Sequence, residues 1–107
     1  MDLHALALER SLAFHREVAR RLLENPAVLE RARRRVQEWL NQIPERPYVR
    51  AWDKILAGTP ESVADFLVDR SELAVELRQS SPFAGVLDAR ERWTIWRETQ
   101  EKWAGER

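Results

Sequence analysis

The chain lacks the residues on which several kinds of site depend. It has no cysteine, which excludes disulfides, thiolate nucleophiles and cysteine-ligated metal sites. The two histidines, His4 and His15, do not make a recognisable zinc set by themselves. The three glycines, Gly58, Gly85 and Gly105, are isolated, so no glycine-rich phosphate loop is present. No serine stands in a nucleophile motif with a matching base. These absences predict a protein without cofactor, metal site or enzymatic activity.

Long apolar runs and net charge are also absent. The apolar stretch from Leu3 to Leu8 is too short for the core of a signal peptide, and nothing approaches the roughly 20 apolar residues of a membrane span. Eighteen basic residues balance eighteen acidic ones, so no net charge draws the chain to nucleic acid or to a membrane. With 107 residues, 44% of them hydrophobic, we expect a single cytoplasmic domain over residues 1–107.

What is present is helical patterning. Apolar residues recur at intervals of three and four, and no alternating run of β-branched residues indicates a strand. Helix start signals stand at Asn25, Thr59 and Ser71, and Asp88 with Glu91 forms a capping box. The predicted helices cover about residues 2–24, 26–40, 47–57, 60–68 and 72–79, and a last one that begins near residue 88. The sequence therefore predicts an all-α fold, a compact bundle of five to six helices with no sheet.

The apolar faces of these helices predict the core. The expected core residues are Leu12, Leu22, Val36, Trp39, Trp52, Leu56, Phe66, Leu77, Phe83, Trp93 and Trp96. His15 lies on the apolar side of the first helix, one turn after Leu12. A histidine in that position is more typical of a packed, singly hydrogen-bonded ring than of a catalytic base.

The last third of the chain is the most specific stretch. A turn containing Pro82, Phe83 and Gly85 leads into a helix that carries Trp93, Trp96 and Trp103. The turn needs Gly85 because a residue with a Cβ would resist so sharp an entry. Two interpretations of the tryptophans stay open. They fill the core, or part of this face is exposed for a partner, since Trp and Arg dominate interface hot spots. Near the chain end, Trp103 either anchors the helix or contacts another chain.

Charges are unevenly distributed along the chain. Arg10 to Arg35 contains eight arginines and three acidic residues, and the middle of the chain is acidic. The run Arg31, Arg33, Arg34 and Arg35 on the second helix is interpreted as a solvated face or, alternatively, as a nucleic-acid site. Such a dipolar layout suits recognition of a protein with the opposite charge pattern, or head-to-tail self-association.

Residues 59–80 have the outline of a helix-turn-helix. Six acidic residues lie between positions 53 and 76, however, and the second helix of the pair opens with Glu72 and continues with Glu76. Those carboxylates would face the phosphates, whereas sequence-specific DNA binders need several cationic phosphate contacts. Nucleic-acid binding by this segment is therefore not favoured.

Several stretches together resemble a known group of proteins. They are residues 11–16 (SLAFHR), 25–28 (NPAV), the arginine-rich helix ending in EWL at 38–40, residues 77–87 (LRQSSPFAGVL) and residues 91–97 (ERWTIWR). They resemble small, uncharacterised all-helical bacterial proteins that are often encoded beside a nucleotidyltransferase-like protein, some of them loosely labelled helix-turn-helix. In that arrangement the small protein looks like the antitoxin of a toxin–antitoxin pair. The resemblance covers about residues 11–103 and implies a partner from the same operon, but no active-site residue.

The sequence thus predicts a non-catalytic protein-binding module, an antitoxin-like partner of a nucleotidyltransferase-type toxin. The expected contact residues are Phe83, Trp96, Arg97 and Trp103. The alternative is a DNA-binding transcriptional regulator with a degenerate helix-turn-helix, or with the arginines of the second helix as its surface. Homo-oligomerisation stays open as a third hypothesis.

Overall fold

The computed structural model describes residues 2–105, and this part of the chain forms six α-helices and no strand. The helices are α1 (Leu3–Glu24), α2 (Pro26–Gln42), α3 (Pro47–Leu56), α4 (Pro60–Leu67), α5 (Glu72–Arg78) and α6 (Ala89–Gly105). The prediction of an all-α bundle is confirmed, and the predicted helix bounds agree to within two residues.

The helices begin where the sequence places capping residues. The side-chain oxygen of each cap accepts a hydrogen bond from a backbone N–H of the first turn: Asn25 from Ala27 (3.0 Å), Thr59 from Ser62 (3.1 Å) and Ser71 from Ala74 (3.2 Å). At the start of α6 the capping box is reciprocal, with Glu91 N–H donating to Asp88 (2.8 Å) and Asp88 N–H donating to Glu91 (3.1 Å). Just upstream Gly85 has φ +92°, the left-handed conformation that glycine adopts without strain.

The core forms around α1, which packs against α2, α4, α5 and α6. Trp52 of α3 is fully buried, and its ring meets Phe66 and Phe83 edge-on at centroid distances of 5.7 and 6.2 Å. Aromatic pairs prefer this T-shaped arrangement because the positive edge of one ring faces the negative face of the other. The turn before α6 therefore inserts Phe83 into the centre of the bundle.

The predicted core needs correction at its tryptophans. Trp93 and Trp96 are exposed, by 55% and 38%, and Trp39 and Phe66 are only half-buried. The cause is the position of α6, which packs mainly against α1 and has no fully buried residue between Ala89 and Gly105. One side of α6 packs against α1, and Trp93 and Trp96 lie away from that side.

The bundle contains one buried cation that the sequence did not indicate. Arg78 of α5 is buried, and its guanidinium donates to the backbone carbonyls of Leu67 and Asp69 at the end of α4. Burial lowers the pKa of Arg78, and the carbonyls at a helix C-terminus are a favourable place for a positive charge. Within residues 2–105, none of the helices combines the length and the hydrophobicity that a membrane span requires.

Candidate protein-interaction surface

The outer side of α6 carries a stack of two tryptophans and an arginine. The rings of Trp93 and Trp96 are stacked, with centroids 5.2 Å apart and planes inclined by 21°. The guanidinium carbon of Arg10, from α1, lies 3.5 Å from the centroid of the Trp96 ring. This distance is well inside the range of a cation–π interaction. We call Arg10, Trp93, Trp96 and Arg97 the aromatic surface.

Polar contacts between α1 and α6 determine which residues of α6 face outward. Nη2 of Arg10 donates to Oε1 of Gln100 across 2.9 Å, close to the stacked rings. At the other end of the helix, Arg21 forms an ion pair with Glu91, which is also part of the capping box. These two attachments, far apart along α6, fix its rotation on α1 and keep the tryptophans on the solvent side.

The surroundings of the stacked rings are positively charged. Arg90 and Arg97 stand three residues before and four residues after Trp93, and all three side chains are exposed. Residues at these spacings share one face of a helix. With Arg10 lying over Trp96, the stacked rings are bordered by three guanidinium groups, those of Arg10 and Arg97 within the aromatic surface and that of Arg90 beside it. The surface is therefore complementary to an acidic one.

The structure brings together only part of the predicted contact set. Trp96 and Arg97 both lie on the exposed outer side of α6. Phe83 does not belong with them, because its side chain is fully buried beneath the turn and cannot touch a partner. Trp103 is half-buried and lines a cavity between α1 and α6. Arg10 was missed, since nothing in the sequence pairs it with a helix that begins some eighty residues later.

The four arginines proposed as a nucleic-acid site fall into two pairs. Nε of Arg33 donates to the carbonyl oxygen of Leu56 (2.8 Å) and its Nη2 to that of Gly58 (3.1 Å), which joins α2 to the end of α3. Nη1 of Arg35 donates to the carbonyl oxygen of Ala84 across 2.8 Å. Arg31 and Arg34 are exposed. The run therefore offers two exposed cations instead of four, because the others bind the protein's own backbone.

In the structure, the second helix of the predicted helix-turn-helix segment exposes the acidic residues that the sequence indicated. Helix α5 is seven residues long, and its exposed positions include Glu72, Leu73 and Glu76. Its only arginine, Arg78, is buried and bonded to α4. A duplex approaching α5 would meet carboxylates and one leucine.

His15 forms one more hydrogen bond than the sequence predicted. Its Nδ1 lies 2.8 Å from the carbonyl oxygen of Ser11, and its Nε2 lies 2.8 Å from Oγ of Ser81. A carbonyl can only accept, so Nδ1 carries the proton and the hydroxyl of Ser81 donates to Nε2. Burial lowers the pKa of His15 from 6.5 to about 4, and the ring is neutral at pH 7. Ser81 Oγ also accepts from the N–H of Phe83 (3.2 Å), so this pair attaches the turn before α6 to α1.

Other kinds of site have little support in the same part of the chain. Among residues 2–105, no three His, Cys, Asp or Glu side chains are grouped closely enough to hold a metal ion. Comparison with known proteins adds nothing further, since no family model, no curated protein and no solved structure matches this chain.

Proposed function

We propose that this chain is a protein-binding module that contacts an acidic surface of its partner through the aromatic surface on α6. The observation that carries the proposal is the exposed Trp93–Trp96 stack with Arg10 over it. Tryptophan and arginine are the residues most enriched among those that dominate binding energy at interfaces. Here the two tryptophans stand on a helix that contributes no fully buried residue to the fold, and an arginine from α1 lies over one of them.

The arrangement is also ordered before any partner arrives. Stacking and the Arg10–Gln100 hydrogen bond restrict the side chains of Arg10 and Trp96 in the free protein. Immobilising a flexible side chain at an interface costs about 0.5–1.5 kcal/mol, and a side chain already fixed avoids much of that cost. Preorganisation of this kind favours a contact role over a purely solvated one.

The partner we propose is a nucleotidyltransferase-like protein encoded beside this chain, with the chain acting as its antitoxin. This assignment rests on the resemblance of residues 11–103 to such antitoxin-like proteins. The three guanidinium groups around the rings support an acidic contact region on that partner, because complementary charge accelerates association and excludes wrong partners.

A pull-down with matched variants tests the proposal. Tagged wild-type protein, the double variant Trp93→Ala/Trp96→Ala and the control Leu73→Ala are used on nuclease-treated lysate of the source organism. Leu73 suits the control because it is 54% exposed, close to the 55% of Trp93, yet it lies on α5. The retained proteins are identified by mass spectrometry, and the affinity is then measured with the purified partner.

We expect one stoichiometric, nucleotidyltransferase-like partner with wild type and with Leu73→Ala. Loss of two hot-spot residues, each worth about 2 kcal/mol or more, should weaken binding at least about thirtyfold. Equal retention by the double variant would refute the aromatic surface as the contact. If only nucleic acid is retained and disappears with nuclease, the DNA-binding alternative replaces this proposal. A self-associating wild type with no other partner would indicate a homo-oligomer.

A further inference from the structure

A cavity of about 280 Å³ lies between α1, α6 and the turn from α4 to α5. Ala13 and Thr99 line it where α1 and α6 face each other, and Trp103 forms a further wall. Small residues on facing helices leave space that larger side chains would fill. The volume is close to the lower limit of small-molecule pockets, roughly 300 Å³. A space of this volume suits a small molecule.

The charges that line this cavity are mostly positive. Arg16, Arg70 and Lys102 contribute to its wall, and Glu9 is the one carboxylate. Oε1 of Glu9 accepts from Nη1 of Arg70 across 3.0 Å, so these two charges neutralise each other. Arg16 and Lys102 are exposed, and neither forms an ion pair within residues 2–105. Neither of these two cations therefore has a carboxylate partner among the residues that line this cavity.

Carboxylates at an adjacent cavity do not fully neutralise the positive charge of Arg16 and Lys102. Arg16 and Lys102 also line a second, adjacent cavity to which Glu17 and Glu98 contribute. Glu17 already accepts hydrogen bonds from Arg20 and Arg21, which lower its pKa to about 2. Glu98 is the only competing carboxylate that has no such partner. One carboxylate against two cations leaves the site attractive to an added anion.

We propose that this cavity binds a small organic phosphate, with the phosphoryl group between Arg16 and Lys102. A phosphoryl group carries the negative charge that this excess of positive charge attracts, and its oxygens accept from both the guanidinium fork and the ammonium group. Trp103 supplies an apolar wall for the organic part of the ligand. The cavity lies where α6 faces α1, so this site is separate from the aromatic surface and does not depend on the proposed function.

The test is an NMR titration of the full-length, isotope-labelled chain with three probes. Adenosine 5′-monophosphate and inorganic pyrophosphate carry the phosphoryl group, and adenosine lacks it. We expect saturable shifts of the backbone signals of Thr99 and Lys102 and of the Trp103 indole signal with the first two probes. Adenosine should produce none of these shifts.

Variants identify the binding groups. Arg16→Gln and Lys102→Gln should each weaken binding of adenosine 5′-monophosphate by about tenfold or more, since each removes a charged hydrogen-bond donor. Both side chains are exposed, so the fold should persist, and thermal unfolding checks this. Arg31→Gln, which removes an exposed cation from α2, is the control and should bind as wild type does.

Three results would overturn the proposal. One is equal binding of adenosine and adenosine 5′-monophosphate, which would show that the phosphoryl group is not recognised. Another is unchanged affinity in an Arg16→Gln/Lys102→Gln double variant. The third is the absence of saturation at millimolar concentrations of either phosphate probe.

Discussion

The hydroxyl of Ser81 donates a hydrogen bond of 2.8 Å to Nε2 of His15, a residue 66 positions earlier in the chain. This bond joins α1 to the turn that carries Phe83 into the core. The same hydroxyl accepts from the N–H of Phe83, so one serine oxygen contacts both a buried ring of α1 and the backbone of the turn. Because the ring is 2% exposed, no solvent can replace the hydroxyl freely.

Ser81→Ala should therefore destabilise the protein by about 1–3 kcal/mol, since it leaves Nε2 of His15 buried without a donor. Urea unfolding at pH 7.5 measures the change. The matched control is Ser80→Ala at the neighbouring position, because the hydroxyl of Ser80 makes no hydrogen bond within residues 2–105, and only its backbone N–H bonds to Leu77. Equal stabilities of the two variants would contradict the role assigned to the His15–Ser81 bond.

Stability should fall as the pH is lowered from about 6.5 to about 4. In this window the unfolded chain protonates His15 at its ordinary pKa of 6.5, whereas burial keeps the folded pKa near 4. The unfolded state then binds more protons, and the free energy of unfolding decreases, by about 3 kcal/mol over the window. Below pH 4.5 the loss of carboxylate contacts such as those of Glu17 adds to the decrease.

His15→Gln isolates this effect, because glutamine removes the titration. Its free energy of unfolding should vary much less than that of wild type between pH 6.5 and 4.5. The control His4→Gln changes an exposed histidine and should keep the wild-type dependence. A wild-type protein whose stability is constant over this range would show that His15 is not buried as a neutral ring.

Replacing a buried tryptophan and replacing an exposed one should change the free energy of unfolding by very different amounts. Trp52→Ala removes a fully buried ring that contacts Phe66 and Phe83, and should destabilise by about 3–5 kcal/mol. Trp93→Ala removes an exposed ring and should change the free energy of unfolding by about 1 kcal/mol or less. Chemical denaturation followed by far-ultraviolet circular dichroism measures both. A large effect at Trp93 would mean that α6 is more deeply packed than described.

Arg78→Met should destabilise by about 2–3 kcal/mol, although methionine retains most of the buried stem. The loss comes from the carbonyls of Leu67 and Asp69, which would be left without their charged donor. Arg90→Met, on the exposed side of α6, is the control and should have a much smaller effect on the midpoint of thermal unfolding. Similar shifts for the two variants would argue against a structural role for the buried guanidinium.

Features determined by neighbouring residues could be predicted from the sequence. Asn25, Thr59, Ser71 and the Asp88–Glu91 box each bind backbone groups within three residues, so their pattern alone located the helix starts. The sharp turn expected at Gly85 is another local property, and its φ of +92° is one that glycine adopts without strain.

Features that depend on distant partners could not be predicted. The face of α6 was assigned from spacing, which placed Trp93 and Trp96 inside. In the structure, Arg10 and Arg21 of α1 attach to that helix and set a different rotation. The same limit applies to Arg33, whose carbonyl partners lie at the end of α3. In each case the arrangement depends on a contact between residues far apart in the sequence. The residue pattern within one helix carries no information about such a contact.

The position of α6 has a consequence for how the sequence can change over generations. Because no residue from Ala89 to Gly105 is fully buried, substitutions on its outer side avoid the large penalties of core mutation. Natural proteins lie only slightly above the stability they need, so positions that carry little folding energy are the ones free to vary. The outer side of α6 is accordingly free to diverge while packing constrains the core positions of the five other helices, and a lineage could exchange one binding specificity for another on an unchanged bundle.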